Sequence, residues 1–412
     1  MIPFAILSGT IEYVDGEKLE IRILELENDA FTFRTNQKGE AKSIELHFWN
    51  QEMGTYEACR LISFDIQQVE ESEFYQVYRV KTKDALFVER SKHLQKQYLR
   101  YIDLKLSGDD VALAHELSGY PKDLEEIYPK SFTEWREKRL KKQPDEQWIQ
   151  QMQRIKEIGI CLDHEVAWKK FIREGEKATH VYIGNQFCMH LFPEEADFDL
   201  ILARCNKENL TPVLCLAPTA QGHLPNIKKR VRDCVEKGIV EIVVNDWGMA
   251  RWISRTYEDR VKLTMGILLN KMSKDPRSKY RKETSRKTSL LAKFYQDWLC
   301  SQGFSRISLE ACGYAYEIPS MDVDFYLPFY QTNTSGHCIM YAMCENGARG
   351  AQQMVEECLG YCKGQHFLYP EHMNLVGCYN SLFGYDERIL WDGEYLKCMI
   401  DQGIKRLILQ TL

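Results

Sequence analysis

The strongest constraint on how this chain folds lies after Thr179, where short apolar, β-branched runs alternate with amphipathic ones. HVYIGNQF (180–187), PVLCLAP (212–218), VEIVVNDWG (240–248), VKLTMGILLN (261–270), SRISLEACG (305–313) and VDFYLPFYQ (323–331) read as strands. MNLVGCYN (373–380) reads as a seventh strand and IKRLILQTL (404–412) as an eighth. Segments such as EADFDLILARCNKEN, LPNIKKRVRDCVEKG and SLLAKFYQDWLCSQG separate them and read as amphipathic helices. Apolar strands alternating with helices imply a parallel sheet covered by helices. Eight of them predict an α/β, TIM-barrel-like (β/α)8 domain over residues 178–412, with a doubly wound open sheet as the alternative. The working face of such a barrel lies at the C-terminal ends of its strands. That places Asn185, Asn245, Asp246, Asn270, Glu310 and Gln331 on a polar rim. Asn245, Asp246 and Glu310 are the candidate catalytic groups, with Asp246 and Glu310 as general acid/base candidates, since burial at a barrel mouth tunes a carboxylate for proton transfer. The plainer role for Asp246 and Glu310 is hydrogen bonding to loop backbone.

The first part of the chain has a different rhythm. Residues 2–14, 18–26, 30–36, 43–50, 59–70 and 73–82 alternate polar and apolar side chains, with turn signals at Asp15-Gly16 and Gly39. Six such strands predict a small antiparallel β-barrel over 1–83. Residues 84–106, 109–118 and 130–158 read as helices, which makes 84–177 a helical connector. The segment LELENDAFTFRTN resembles the central strand of PilZ-type cyclic-di-GMP barrels. The arginine pair and the Asp/Asn-x-Ser-x-x-Gly motif of those domains have no recognisable counterpart, so a docking or substrate-presenting module is the expectation.

Composition narrows the function class. The chain has 412 residues and a formal net charge of −6, which gives room for two or three domains and no global basic signature for nucleic acid. No apolar run reaches the length of a membrane span. The N-terminus MIPFAILSGTIEYVDGEK lacks a basic n-region and reads as a first strand rather than a signal peptide. Fourteen cysteines without an export signal point to the cytoplasm, where cysteine clusters bind metals or catalyse more often than they form disulfides.

Five of those cysteines, Cys338, Cys344, Cys358, Cys362 and Cys378, fall between Tyr326 and Cys378. Thiolates are soft ligands that select zinc, copper(I) or iron–sulfur clusters. If the run around Cys358 and Cys362 is helical, their spacing puts both sulfurs on one face. The competing reading is that they are small core residues.

Several stretches, taken in order, resemble the peptidase U-32 family, and its UbiV-like iron–sulfur branch most closely. They are VYIGNQFCMH, the VNDWG that resembles a third-strand Asn-Asp-x-Gly, LPFYQTNTSGHCIMYAMC, EECLGYC and NLVGCYN. The resemblance covers about residues 179–400. It implies that Cys188, Cys338, Cys358 and Cys362 ligate a 4Fe-4S cluster, with Cys344 and Cys378 as competitors and a structural zinc as the chemical alternative. It further implies oxygen-independent hydroxylation of an RNA base, a quinone precursor or another ring, beside a second U-32 subunit. The family name suggests proteolysis, but HExxH and GxSxG are absent from the sequence. A Cys/His dyad stays open, with Cys338 beside His337 and Cys188 two residues from His190. A non-catalytic metal-binding scaffold, docked through the N-terminal barrel, is the third reading.

The loop from Lys271 to Lys293 holds nine Lys and Arg against two acidic residues. Such a patch can hold RNA phosphates or an anionic small molecule; the alternative is a solvated face. Trp247 and Tyr314, near strand ends, are candidates for stacking a ring.

Overall fold

The structure, a computed structural model, describes residues 7–50, 55–109, 112, 131–139, 142–174, 178–270, 272, 274, 288–312, 317–346, 355, 357–369, 374–410 and 412. The chain divides into two compact units, Met1–Glu126 and Ile127–Leu412.

In the first unit, seven strands pair antiparallel: β1 (Leu7–Tyr13), β2 (Lys18–Leu26), β3 (Ala30–Thr35), β4 (Ala41–Asn50), β5 (Thr55–Leu61), β6 (Asp65–Glu71) and β7 (Gln76–Lys81). Their order is β5-β4-β1-β2-β3-β7-β6. This is a sheet with β5 and β6 at its edges, where a closed barrel was expected, and the expected strand 59–70 is two strands. The reason lies in β6, DIQQVEE, whose residues are all exposed, so it has no inward apolar row to pack into a closed barrel. Elsewhere the alternation holds, as in β1, where every second residue is buried. Helix α1 (Ala85–Ser107) starts at Asp84, whose carboxylate accepts from Phe87 N at 2.9 Å, and ends at Gly108 with φ 71°. Its Phe87 is fully buried between Phe31 and Phe48, with ring centroids 5.6 and 6.0 Å away. Burying such a ring stabilises by about 1.5–3 kcal/mol.

The second unit is built on a closed barrel of eight parallel strands: β8 (Glu157–Leu162), β9 (His180–Gly184), β10 (Thr211–Leu216), β11 (Glu241–Val244), β12 (Lys262–Met265), β13 (Phe304–Glu310), β14 (Asp322–Leu327) and, last in sequence, β19 (Arg406–Leu409). The ring runs β10-β11-β12-β13-β14-β19-β8-β9, which excludes the open doubly wound sheet. Helices α4 (Glu165–Glu174), α5 (Glu195–Glu208), α6 (Leu224–Glu236), α7 (Trp247–Tyr257), α8 (Lys293–Ser301) and α10 (Gly393–Asp401) pack outside it through residues such as Phe171, Ile201, Val231, Ile253, Leu299 and Leu396.

Two expected strands change place. The ring closes through β8, which the sequence reading ran into a helix over 130–158. The strand within MNLVGCYN, expected in the barrel, belongs instead to a four-stranded antiparallel sheet of β15 (Phe329–Thr334), β16 (Phe367–Leu368), β17 (Leu375–Cys378) and β18 (Ser381–Tyr385), ordered β15-β18-β17-β16; Met373 lies outside the described residues. The expected strand 323–331 therefore spans two sheets and breaks at Pro328, which has no N–H to continue a ladder.

The connector is also redrawn. Helix α1 lies in the first unit, whereas α2 (Phe132–Arg139) and α3 (Glu146–Met152) lie in the second. The tryptophans decide this. Trp135 is fully buried against Phe329 and Tyr385, with centroids 6.3 and 5.3 Å away. Trp148 Nε1 donates to Ile389 O at 2.8 Å.

The N-terminal end of the barrel is plugged by charge. Arg406 donates to Glu157 at 2.6 Å, Glu241 at 2.9 Å and the Tyr182 hydroxyl at 3.1 Å. Tyr182 donates to Asp324 at 2.5 Å, and Arg306 adds a bond to Asp324 at 3.1 Å. Gly159 makes room for this, because a Cβ there would meet the Tyr182 ring at 2.6 Å. Removing one member of such a group leaves buried charge uncompensated. Arg406→Ala is expected to destabilise the second unit by about 3–5 kcal/mol, read from urea denaturation.

His180, beside this plug, has its pKa lowered to about 4 by burial and then by the field of Arg406. The native ring stays neutral where the unfolded ring, near its ordinary value of about 6.5, takes a proton. Its contribution to stability is complete above that value and is lost as pH falls toward 4, up to about 3 kcal/mol. The urea midpoint should fall over this window, and His180→Gln should flatten the fall.

Candidate functional site

Three loops at the C-terminal end of the barrel bring the predicted thiols together. After β9 the chain turns at Gly184, whose φ is +97° and whose Cβ, if present, would strike the Cys215 carbonyl oxygen at 2.7 Å. Asn185 Oδ1 then accepts from the amides of Phe187 and Cys188, each at 2.7 Å, which holds Cys188 forward. Cys338 directly precedes helix α9 (Ile339–Asn346). Cys358 and Cys362 lie on a turn, with Gly360 at φ 76° and Gly364 at φ 69°. The run around that CxxxC is not helical; left-handed glycines bend the chain there.

Burial raises the Cys188 thiol, and Cys362, Cys358 and Cys338 raise it further. Burial pushes Cys362 up to about 12, again with Cys338 and Cys358 as neighbours. The four sulfurs thus share one locality. Backbone N–H groups reach three of them: His190 N at Cys188, Met340 and Tyr341 N at Cys338, and Gly360 N at Cys358, the last at 3.3 Å. Hydrogen bonds of this kind favour the thiolate and tune thiolate-bound metals. Among the described residues, no three His, Cys, Asp or Glu side chains are gathered tightly enough to form a finished metal cage. The sulfurs are neighbours without being drawn into a coordination shell. By donor chemistry the set fits either four-thiolate iron–sulfur or zinc. Of the competitors, Cys344 is exposed on α9, and Cys378 is buried in β17, where Asp163 and Cys362 both raise its thiol after burial.

The turn between β17 and β18 ties these loops to one another. Asn380 Nδ2 donates to Phe187 O at 2.9 Å and to Ser335 O at 2.7 Å. Tyr379, at φ 56°, donates its hydroxyl to Asp163 at 2.8 Å, and the Cys338 sulfur donates to its carbonyl at 3.8 Å. Asp163 is buried just past β8, and burial raises its carboxyl against the opposing pull of His164 and Tyr379.

The predicted catalytic groups are engaged with the protein itself. Asn245 donates to Leu216 O at 3.1 Å and Gln186 at 3.2 Å, and accepts from Leu268 N at 2.8 Å. Asp246 caps α7, accepting from Met249 N at 2.9 Å. Glu310 forms a buried ion pair with Lys274 and accepts from Gln331 N at 2.7 Å. Burial raises its carboxyl, while Lys274 pulls the other way. The structure therefore gathers Asn245 with Gln186, and Glu310 with Lys274. Trp247 packs outside the barrel on Trp298 and Phe304, with centroids 5.2 and 5.8 Å away. Tyr314 and most of the 271–293 loop lie outside the described residues. His190 Nε2 faces Val355 O at 3.2 Å rather than the sulfur of Cys188.

Asp163, Gln186, Tyr379 and Asn380 went unmarked in the sequence, and Lys274, expected as part of the anion-binding 271–293 patch, is paired with buried Glu310 instead. The available signal was the pair Tyr379-Asn380 between apolar residues, a short hairpin turn. Asp163 was hidden because the strand before it was placed within the helical connector, its first two residues in the helix over 130–158.

Gly266 tests the mouth. A Cβ there would meet the Asn245 amide at 2.3–2.5 Å. Gly266→Ala is expected to cost about 1–3 kcal/mol by overpacking, measured by chemical denaturation. Gly222→Ala, where a Cβ meets nothing within 4 Å, should stay near wild type. No protein-family model matches this chain, and no curated protein matches it.

Proposed function

We propose that Cys188, Cys338, Cys358 and Cys362 hold a 4Fe-4S cluster at the mouth of a TIM-type (β/α)8 barrel. In this reading the chain is a U-32-type protein that hydroxylates an RNA base, a quinone precursor or another ring without molecular oxygen. One observation carries it: the four thiols share a locality, and N–H donors reach three of the sulfurs. A cluster there supplies electron transfer, because four protein thiolates leave no open iron. The chain's own residues would do the rest. Asn185 and Asn380 fix the loops that carry Cys188 and Cys338. Glu310 and Lys274 would place a buried carboxylate and a cation side by side at the mouth. The 271–293 loop would receive an anionic substrate or RNA, and a second U-32 subunit would complete the assembly in the cytoplasm.

A second reading, a metal-binding scaffold with zinc, is favoured by the engagement of Asn245 and Asp246 in bonds within the protein. A cysteine peptidase fits less well. Burial raises Cys188 and Cys338, whereas a nucleophilic cysteine needs a depressed pKa.

Protein purified without oxygen should carry about four irons and four sulfides per chain, the content of one cubane cluster. Cys358→Ala should lose them with the brown colour. One zinc and no sulfide would move the weight to the scaffold, and no metal would sink both readings.

A further inference from the structure

On the outer wall of the barrel, helix α8 departs from the pattern of its neighbours. A barrel helix buries one apolar stripe against the strands and turns polar residues outward, as α6 does with Lys229, Arg232 and Glu236 exposed. Helix α8 buries Leu299 completely. Its outward stripe of Phe294, Asp297, Trp298 and Ser301, spaced i, i+3, i+4 and i+7, nevertheless carries two large aromatic residues. Phe294 is 56% exposed and Trp298 is 37% exposed. Trp247, the first residue of α7, adds a third ring, 40% exposed and next to Trp298. Tyr295 stacks on the Trp298 ring from the same helix, with centroids 5.7 Å apart. Helices α4 and α5 each expose a single large apolar side chain, Val166 and Leu200. Scattered residues of that kind are ordinary; joined exposed aromatics mark an interface.

The charges on α8 say what covers it. Lys293 and Asp297 lie one turn apart, both exposed, and neither forms an ion pair among the described residues. A lysine four residues ahead of an acid is the weaker order for pairing within a helix. When two helices pack antiparallel, the residues that meet have numbers adding to a constant. A two-fold axis beside Tyr295 sets Lys293 against Asp297 of a second copy, and Asp297 against its Lys293. The same axis sets Trp298 opposite Ala292 of the second copy, a side chain small enough to admit an indole. One symmetry operation thus satisfies both charges and both indoles, the self-complementarity that a two-fold interface requires. A foreign partner with one dominant charge would match only one of Lys293 and Asp297.

We propose that the outward face of α8, with Trp247, is a homodimer interface. A second copy of this chain packs its α8 antiparallel on the first, with the rings at the centre and the two Lys293–Asp297 pairs on the rim. The inference uses none of the thiols, so it stands apart from the cluster reading, and its partner is this chain itself rather than a different subunit.

Sedimentation velocity on the full-length protein tests it, in reductant so that exposed Cys300 forms no disulfide. Wild type is expected to sediment as a dimer that dissociates on dilution through the micromolar range. Lys293→Glu sets like charges together at both symmetric pairs and should raise the dimer Kd at least about tenfold. Lys293→Glu combined with Asp297→Lys restores both pairs with the signs exchanged and should return the Kd to near wild type. Trp298→Ala should also weaken the dimer at least about tenfold, as expected for an aromatic anchor. The charge variants alter only exposed side chains, and circular dichroism checks that they keep the fold. A wild type that stays monomeric throughout, a Lys293→Glu or Trp298→Ala protein that dimerises unchanged, or a double variant no tighter than Lys293→Glu alone would overturn the proposal.

Discussion

The second unit depends on β8 lying between β19 and β9, with Ile408 against Gly159 on one side and Gly159 against His180 on the other. A parallel sheet of seven strands would end in two bare edges; the eighth removes both. Closure then forces side chains into a narrow interior, and Gly159 gives up its own volume to let Tyr182 in. The charges at the barrel floor follow from the same crowding. Arg406, Glu241 and Asp324 are buried or nearly so, and each is tolerable only because the others are present.

At the opposite end the decisive element is a turn. Pro328 releases the chain from the barrel into β15, and the sheet that follows presents Tyr379 and Asn380 to loops from elsewhere. One asparagine side chain holds the carbonyls of Phe187 and Ser335, residues far apart in sequence. The loops of Cys188 and Cys338 are thereby brought beside each other through hydrogen bonds that involve neither cysteine side chain. Asn185 plays the complementary part within its own loop, fixing where Cys188 points.

Much of the barrel could be read from periodicity, because β9 to β12 are largely apolar on both faces, β13 and β14 keep an apolar row, and their helices carry clear stripes. The errors came from segments with two readings. β8 follows a heavily charged helical stretch, and six residues of EIGICL are too few to break that pattern. MNLVGCYN has the composition of a barrel strand, but its partner is β18, and pairing is a non-local fact that strand composition does not encode. The same holds for the site. Cysteine spacing suggested which thiols to group, whereas Tyr379, Asn380 and Lys274 act through contacts that no local pattern marks. Asp246 was legible as polar but not as a cap, since capping depends on where α7 begins.

The strand order has a consequence for synthesis. β8 pairs with β19 across about two hundred and fifty residues, Glu157 to Arg406. Until residues 406–409 leave the ribosome, β14 and β8 each keep an open edge, and Asp324 lacks its arginine from β19. The nascent second unit must therefore wait as an unclosed sheet with exposed edges and an acidic floor to which Arg306 supplies a cation but Arg406 does not yet, the kind of intermediate that chaperones shield. Ring closure and charge neutralisation then arrive in one step with Arg406.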